Sequence, residues 1–337
     1  MNKNFDKELA DKIFVVTNET FTELALEVFR YQFENNELYK EFCDAIRRSP
    51  ETVKTIYDIP YLPVGFFKSK QVTCGLFEPQ AIFESSGTTG NDTSRHYVKD
   101  LSLYERSFLA GFNFFFEPPE EWCILALLPS YLERKNSSLV YMAEHLIKAS
   151  RNENSGFYLD EFEKLAAVIK KNEEAKKPTL LLGVTFALID FAQSHPMNLQ
   201  HTIVMETGGM KGRKEEMTRQ EVHEIIKEKL GVNDIYSEYG MTELLSQAYS
   251  YGHGIFSTPP WMKVLLRKED DPLEVVYQNN MKGFNAKGAV NIIDLANIHS
   301  CSFIATDDLG KLFIDGRFEL LGRIDHSTMR GCSQLTV

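Results

Sequence analysis

TLLLGVTFALIDFAQSHPMNLQHTIVMET, residues 179–207, decides the fold class. TLLLG is a short apolar run of strand type, FALIDFAQ spaces its apolar residues as a helix does, and TIVMET is a second strand-type run. The alternation continues in both directions. Upstream, SLYERSFLAGFNFFF reads as helix, WCILALL as buried strand, and SSLVYMAEHLIKA and FEKLAAVIKKNEEA as helices. Downstream, RQEVHEIIKEKL is a helix with Gly231 where a C-cap belongs. Strands joined through helices need crossover connections, so the expectation is an α/β fold of mainly parallel strands flanked by helices. Active loops should then gather at the carboxyl ends of the strands.

Further out the pattern changes. Residues 20–47 read as one helix, with Leu24, Val28 and Tyr31 on one face and a stop before Ser49-Pro50. Pro60 and Pro63 in DIPYLPVGFF disfavour helix and predict an extended link. From about residue 255, WMKVLLR, LEVVYQ, GAVNIIDL and FIDGRFELLG are short strands with turns, Asp315-Gly316 being a hairpin signal. This predicts a smaller β-rich subdomain. We divide the chain into an α/β core at 1–254, the β-rich subdomain at 255–325 and a tail at 326–337.

The 337 residues, 43% hydrophobic and 25% charged, are those of a globular protein too large for one simple core. Against 48 acidic residues stand 37 basic ones, a formal charge of −11, and no basic stripe tracks a phosphate backbone, which argues against nucleic acid as a partner. An anionic ligand in such a field needs local donors and a bound cation. The start, MNKNFDKELADKIF, lacks a signal-peptide core, and no run approaches the roughly eighteen apolar residues of a membrane span, so a cytoplasmic protein is expected. Cys43, Cys74, Cys123, Cys301 and Cys332 are scattered without a CxxC pair, which suggests neither a disulfide framework nor a zinc site.

Three clusters carry chemistry. In AIFESSGTTGNDTSRHY (81–97), Ser85, Ser86, Thr88 and Thr89 offer hydroxyl donors while Gly87 and Gly90 let backbone N–H groups turn inward around an anion. The alternative is an ordinary polar turn. No P-loop signature exists in the chain. In DIYSEYGMTELLSQAYS (234–250), Thr242 can donate to a phosphate oxygen and Glu243 can hold Mg²⁺; the alternative is a helix N-terminus that either residue caps. In ATDDLGKLFIDGRFELLGRID (305–325), Asp307 and Asp308 can accept from ribose hydroxyls and Arg323 can return to a phosphate, the alternative being a solvated turn and a surface arginine. Between the first and second clusters, METGGMKGR (205–213) supplies Gly208-Gly209, flat enough for a purine to stack on backbone.

In their order, SSGTTG, YGMTE, T-x-D-x-G and GR-x-D resemble the motifs of the adenylate-forming superfamily. Within it the chain most resembles the acyl-protein synthetases of the bacterial luciferase fatty-acid reductase type, which are akin to phenylacetate-CoA ligases. The passages IPYLPVGFFK (59–68), LLPSYLERKNSSL (127–139), ETGGMKGR (206–213), SEYGMTELLSQAY (237–249) and LGRIDHSTMRGCS (321–333) carry it over nearly the whole sequence. The resemblance implies the N-terminal domain fold of an adenylate-forming enzyme. It also implies the cofactors ATP and Mg²⁺ and a carboxylic, in this family fatty, acid as substrate.

Site roles follow from the same resemblance. Ser85, Ser86, Gly87, Thr88, Thr89 and Gly90 would contact the ATP phosphates, Gly208 and Gly209 would border adenine, Thr242 would meet the α-phosphate and Glu243 would hold Mg²⁺. Asp308 matches the ribose aspartate, but Asp307 replaces a glycine of the broader signature, which leaves the choice between them open. Arg323 matches an arginine that reaches ribose and phosphate. Cys332, in RGCSQLTV, fits the place of the cysteine that receives the acyl group, with Arg330 favouring its thiolate. Partners would be an acyl reductase or an acyl-carrier protein. Two departures stand out. Thr93 occupies the place of a lysine after the hydroxyl-rich loop, and with the sequence ending at Val337 no lid domain with its catalytic lysine is expected. Arg95, Lys211 and Arg134 are the candidate replacements for its charge.

FLAGFNFFF (108–116) with YLER (131–134) could line an acyl tunnel, although a phenylalanine-rich helix more often forms core. Two rival functions remain at this stage. One is a lidless acyl- or aryl-CoA ligase of phenylacetate type; the other is a non-catalytic nucleotide- or acyl-binding subunit.

Overall fold

The computed structural model describes residues 3–85, 93–128, 136–208, 217–277 and 285–324. Three helices open the chain: α1 (Lys3–Ile13), α2 (Phe21–Asn35) and α3 (Glu37–Ala45). The single helix expected at 20–47 is thus broken at Asn36. Its extended backbone leaves the helix, its side chain accepts from Tyr39 N at 2.9 Å, and its Nδ2 donates to Ser300 O at 2.9 Å. An asparagine N-cap restarts a helix where an uninterrupted one would have left those buried groups unpaired. Next come β1 (Leu62–Pro63), α4 (Phe66–Ser69), the separate antiparallel hairpin β2 (Ala81–Glu84) and β3 (Arg95–Val98), and α5 (Leu101–Phe115).

The alternation predicted from sequence then follows: β4 (Cys123–Leu127), α6 (Ser138–Ser150), β5 (Gly156–Phe157), α7 (Phe162–Glu174), β6 (Thr179–Val184), α8 (Thr185–Ser194), β7 (Thr202–Thr207), α9 (Arg219–Leu230) and β8 (Tyr236–Tyr239). Strands β8, β7, β6, β4 and β5 lie side by side and parallel. Every residue of β4 and β6 is buried, as an apolar run without alternation requires. The boundaries of α9 are local: Thr218 and Glu221 form a capping box, and Gly231 ends the helix at φ 64°.

Beyond β8 the chain turns antiparallel through β9 (Ala248–Ser250), β10 (Ile255–Ser257), β11 (Met262–Arg267), β12 (Asn285–Asp294), β13 (Phe303–Phe313) and β14 (Phe318–Arg323). These strands continue the same sheet, in the order β11-β12-β13-β14-β10-β9-β8-β7-β6-β4-β5, with β1 added alongside β13. The hairpin read from Asp315-Gly316 joins β13 to β14, with Gly316 at φ 87°. LEVVYQ is not a full strand; its described residues make a single bridge, Val275 to Arg267. Among the described residues no helix is long and apolar enough to cross a membrane.

One correction bears on the site. Thr306-Asp307-Asp308 is not a turn but lies inside β13. Its partners in β12 shift from Asn291 opposite Ala305 to Ala289 opposite Leu309, so three residues of β13 face the single Val290. That is a bulge, which re-aims side chains without ending the strand.

Candidate active site

A cleft of about 860 Å³ runs between the carboxyl ends of the parallel strands and the bulge in β13. Ser85, Gly208, Thr242, Glu243, Asp307, Asp308 and Arg323 all line it, although they are spread over most of the chain. Ser86, Gly87, Thr88, Thr89, Gly90, Gly209 and Cys332 lie outside the described residues, as do Lys211 and Arg134.

Each described residue is placed by a nameable local cause. Ser85 ends the hairpin: its N–H donates to Ser94 O at 3.0 Å and its Oγ accepts from Ser94 N at 2.9 Å, which closes the base from which the hydroxyl-rich loop springs. Gly208 follows β7 directly with φ 72°, a left-handed conformation that glycine adopts without strain. Thr242 and Glu243 sit in an irregular turn after β8. No helix begins there, so neither residue is a helix cap. Glu243 is buried yet lines the cleft.

At the bulge, Asp308 is 8% exposed, accepts from Tyr239 Oη at 2.8 Å and lies 3.5 Å from Arg323 Nε. Arg323 stands opposite Asp308 in the β13–β14 register with a side chain 66% exposed, so its guanidinium faces the open side of the cleft. Tyr239 is buried, and that burial together with the Asp308 carboxylate pushes its hydroxyl well above the ordinary value. It therefore remains a donor. Asp307 also lines the cleft and is less buried than Asp308.

Beneath the bulge is a buried cation that the sequence did not single out. Arg267 is 6% exposed and donates to Thr306 O at 2.6 Å, Val290 O at 2.7 Å and Asn291 Oδ1 at 2.9 Å. Thr306 Oγ1 completes the knot by donating to Val290 O and accepting from Asp308 N, at 3.0 and 3.1 Å. A bulge strips carbonyls of their ladder partners, and a guanidinium supplies several donors at once. Burial lowers the pKa of Arg267, while the charges of Asp307 and Asp308 oppose that shift.

The parallel wall carries two carboxylates, Glu206 buried and Glu238 half-buried. Glu206 accepts from Thr185 Oγ1 and from His223 Nε2, the latter at 2.9 Å. Glu238 accepts from Thr207 Oγ1 at 2.5 Å, and burial pushes its carboxyl up to about 7. Lys68, from the IPYLPVGFFK passage, also lines the cleft and was not weighed as a site residue from sequence. Arg95 does not line it and instead pairs with Glu84 at 3.5 Å.

Two further expectations are resolved. Phe108 and Phe112 are fully buried and none of residues 108–116 lines the cleft, which α5 reaches only through Tyr104, while residues 131–134 lie outside the described residues. Cys43, Cys74, Cys123 and Cys301 are buried packing residues. Burial pushes the Cys43 thiol up to about 12 and raises Cys123 and Cys301 as well, which makes all three poor nucleophiles. His96, which was not singled out from sequence, lies directly behind Thr242. Its signal was its place just after the hydroxyl-rich loop.

The family model for acyl-protein synthetase, LuxE, matches residues 16–336. The chain belongs to the LuxE acyl-protein synthetase family. No curated protein sequence matches it. Among solved structures, ATP-bound MatB from Rhodopseudomonas palustris is 17% identical at a TM-score of 0.53, with 72% of this chain and 48% of that one covered. An ATP-bound RpMatB-BxBclM chimera is 16% identical at a TM-score of 0.54, covering 83% and 51%. At these identities the likeness is one of fold, and this LuxE-family chain spans about half the length of the structures it matches.

Proposed function

We propose that the protein uses ATP and Mg²⁺ to activate a carboxylic acid, a fatty acid by family, as its acyl adenylate and transfers the acyl group to Cys332. The observation that carries this reading is the convergence of Ser85, Gly208, Thr242, Glu243, Asp308 and Arg323 on one cleft. In this reading the hydroxyl-rich loop and Thr242 hold the phosphates, Gly208 and Gly209 border adenine, and Asp308 accepts from the ribose with Asp307 beside it. Tyr239 holds Asp308 ready from behind, and Arg323 reaches from the rim toward ribose and phosphate.

The residues fit a magnesium ion. Among the described residues no group of three or more His, Cys, Asp or Glu side chains could hold a metal unaided. Mg²⁺, however, commonly takes one or two carboxylates and fills its remaining positions with phosphate oxygens and water. Glu243, a buried carboxylate on the cleft wall, would be that ligand. When bound, the ion supplies charge neutralisation on the phosphates.

The chemistry asks little else of the chain. A carboxylate oxygen attacks the α-phosphorus, the bond to the bridging oxygen breaks, and pyrophosphate leaves; fixed donors and positioning lower the barrier. Lys68 is a cation within the cleft where Arg95 is not. The Cys332 thiolate then attacks the acyl carbonyl carbon and AMP leaves, which forms a thioester for an acyl reductase or acyl-carrier protein to take up.

Incubation with ATP, Mg²⁺ and radiolabelled fatty acid should give a hydroxylamine-sensitive label on the protein, and Cys332→Ser should lose the label while keeping acid-dependent pyrophosphate exchange. Equal labelling of both proteins would remove the cysteine from the scheme. Absence of exchange with fatty, aryl and short acids alike would remove adenylation.

A further inference from the structure

The turn that bears Thr242 and Glu243 has neither helix nor strand to pair its backbone, and three side chains from distant segments do so instead. Thr242 O lies 2.9 Å from His96 Nδ1, and Glu243 O accepts from Asn297 Nδ2 at 2.8 Å. Asp294 Oδ2 accepts from Leu245 N and Ser246 N at 2.7 and 3.0 Å, and its Oδ1 from Ser246 Oγ at 2.6 Å. His96 Nε2 also lies 3.0 Å from Asn297 Oδ1, but burial lowers the imidazole to about 4 and keeps it neutral, so the ring donates to one of its two facing oxygens, Thr242 O through Nδ1. The amide orientation of Asn297 is fixed by its second donation, to Cys301 O at 3.0 Å. His96, Asp294 and Asn297 are each 1% exposed or less.

His96 belongs to β3, two residues after Ser94, which closes the base of the hydroxyl-rich loop against Ser85. The ring therefore ties the hairpin that carries one motif to the turn that carries another. An unpaired buried carbonyl is costly enough to keep such a turn from adopting other positions once its partners are in place.

We propose that His96 and Asn297 are positioning residues that hold the turn of Glu243 at a fixed place relative to the end of the β2–β3 hairpin at Ser85 and Ser94, so that the turn is set to grip MgATP. This rests on the assignment of Glu243 to Mg²⁺ made above. Neither residue lines the cleft, so neither is catalytic.

The test compares ATP binding by calorimetry in EDTA and in Mg²⁺ for the full chain, His96→Ala and His96→Asn. The amide of asparagine places a donor near the position of Nδ1, so His96→Asn serves both as the rescue and as the variant that keeps the turn supported if His96→Ala does not fold. His96→Ala should bind ATP in EDTA nearly as the parent does, lose about tenfold in affinity for MgATP, the effect of one hydrogen bond, and exchange its Leu245 and Ser246 amide hydrogens faster. His96→Asn should recover most of both effects. Acid-dependent pyrophosphate exchange should fall in kcat more than in KM for the acid. An unchanged ratio of MgATP to ATP affinity in His96→Ala, or a parent whose ATP affinity ignores Mg²⁺, overturns the proposal. A parent that binds MgATP tightly but exchanges no pyrophosphate with any acid defeats adenylation instead, and the affinity ratio still judges His96.

Discussion

The two walls of the cleft are built on different principles. The parallel wall is made of strand ends: Gly208 follows β7 and Tyr239 ends β8, and neither position needs anything beyond its own element to face the opening. The antiparallel wall exposes Asp308 from the middle of a strand paired on both sides, which is possible only because a bulge turns the chain and a buried arginine satisfies the carbonyls that the bulge leaves behind. The first wall is a by-product of the fold class. The second is a construction whose parts come from residues 267, 290, 291 and 306.

If that contrast is right, the largest loss should follow removal of the buried cation. Arg267→Met leaves the Thr306 carbonyl and the Asn291 side-chain oxygen without their donor, and urea denaturation should show a loss of roughly 3–5 kcal/mol, together with weaker ATP binding. A loss below about 1 kcal/mol would mean that the bulge does not depend on Arg267.

The parallel wall should respond to pH instead. The folded-state value of Glu238 is raised to about 7 from 4.5 by burial, so the fold binds its proton more tightly than the unfolded chain does. That stabilisation is complete below about 4.5 and is lost as pH rises through about 7. Glu238→Gln, which keeps an acceptor for Thr207, should be more stable than the parent at pH 8, by an amount on the order of 3 kcal/mol, and much closer to it at pH 5. Thermal melting at the two pH values decides this, and equal shifts at both would show that the carboxyl is not held neutral by burial.

Tyr239 joins the walls, and Tyr239→Phe removes the donor that crosses from β8 to Asp308 in β13. The expected loss is about 1.5 kcal/mol of stability, with MgATP affinity reduced several-fold. Loss of stability without loss of affinity would separate the Tyr239 contact from the ribose role proposed for Asp308. Smallest of all should be Asp100→Ala, which deletes the N-cap of α5, where Asp100 accepts from Ser102 N at 3.0 Å. A cost of about 1 kcal/mol with unchanged ATP affinity would confirm that the elements of the parallel half carry local stability apart from the site.

The outcome for the sequence reading follows the same division. FALIDFAQ, TIVMET and RQEVHEIIKEKL were legible because a helix or strand imposes its own period on apolar residues, and Gly231 was legible because a left-handed cap favours glycine. The helix at 20–47 was misread at Asn36, whose buried contact to Ser300 lies far along the chain. Thr306-Asp307-Asp308 looked like a turn because its residue types suit turns, whereas pairing with β12 and β14 on either side makes it a bulge. His96 was passed over because a lone histidine carries no sign of its partners at 242 and 297.

By itself the sequence determined the α/β alternation, the caps, the position of the hairpin and the order of the motifs, all of which depend on residues a few places apart. Only the tertiary structure decided which aspartate the tyrosine holds, which arginine fills the bulge and which side chains clamp the turn of Glu243. The physical reason is that a buried polar group must find its partner wherever the folded chain brings one, and here those partners lie 39 to 201 residues away.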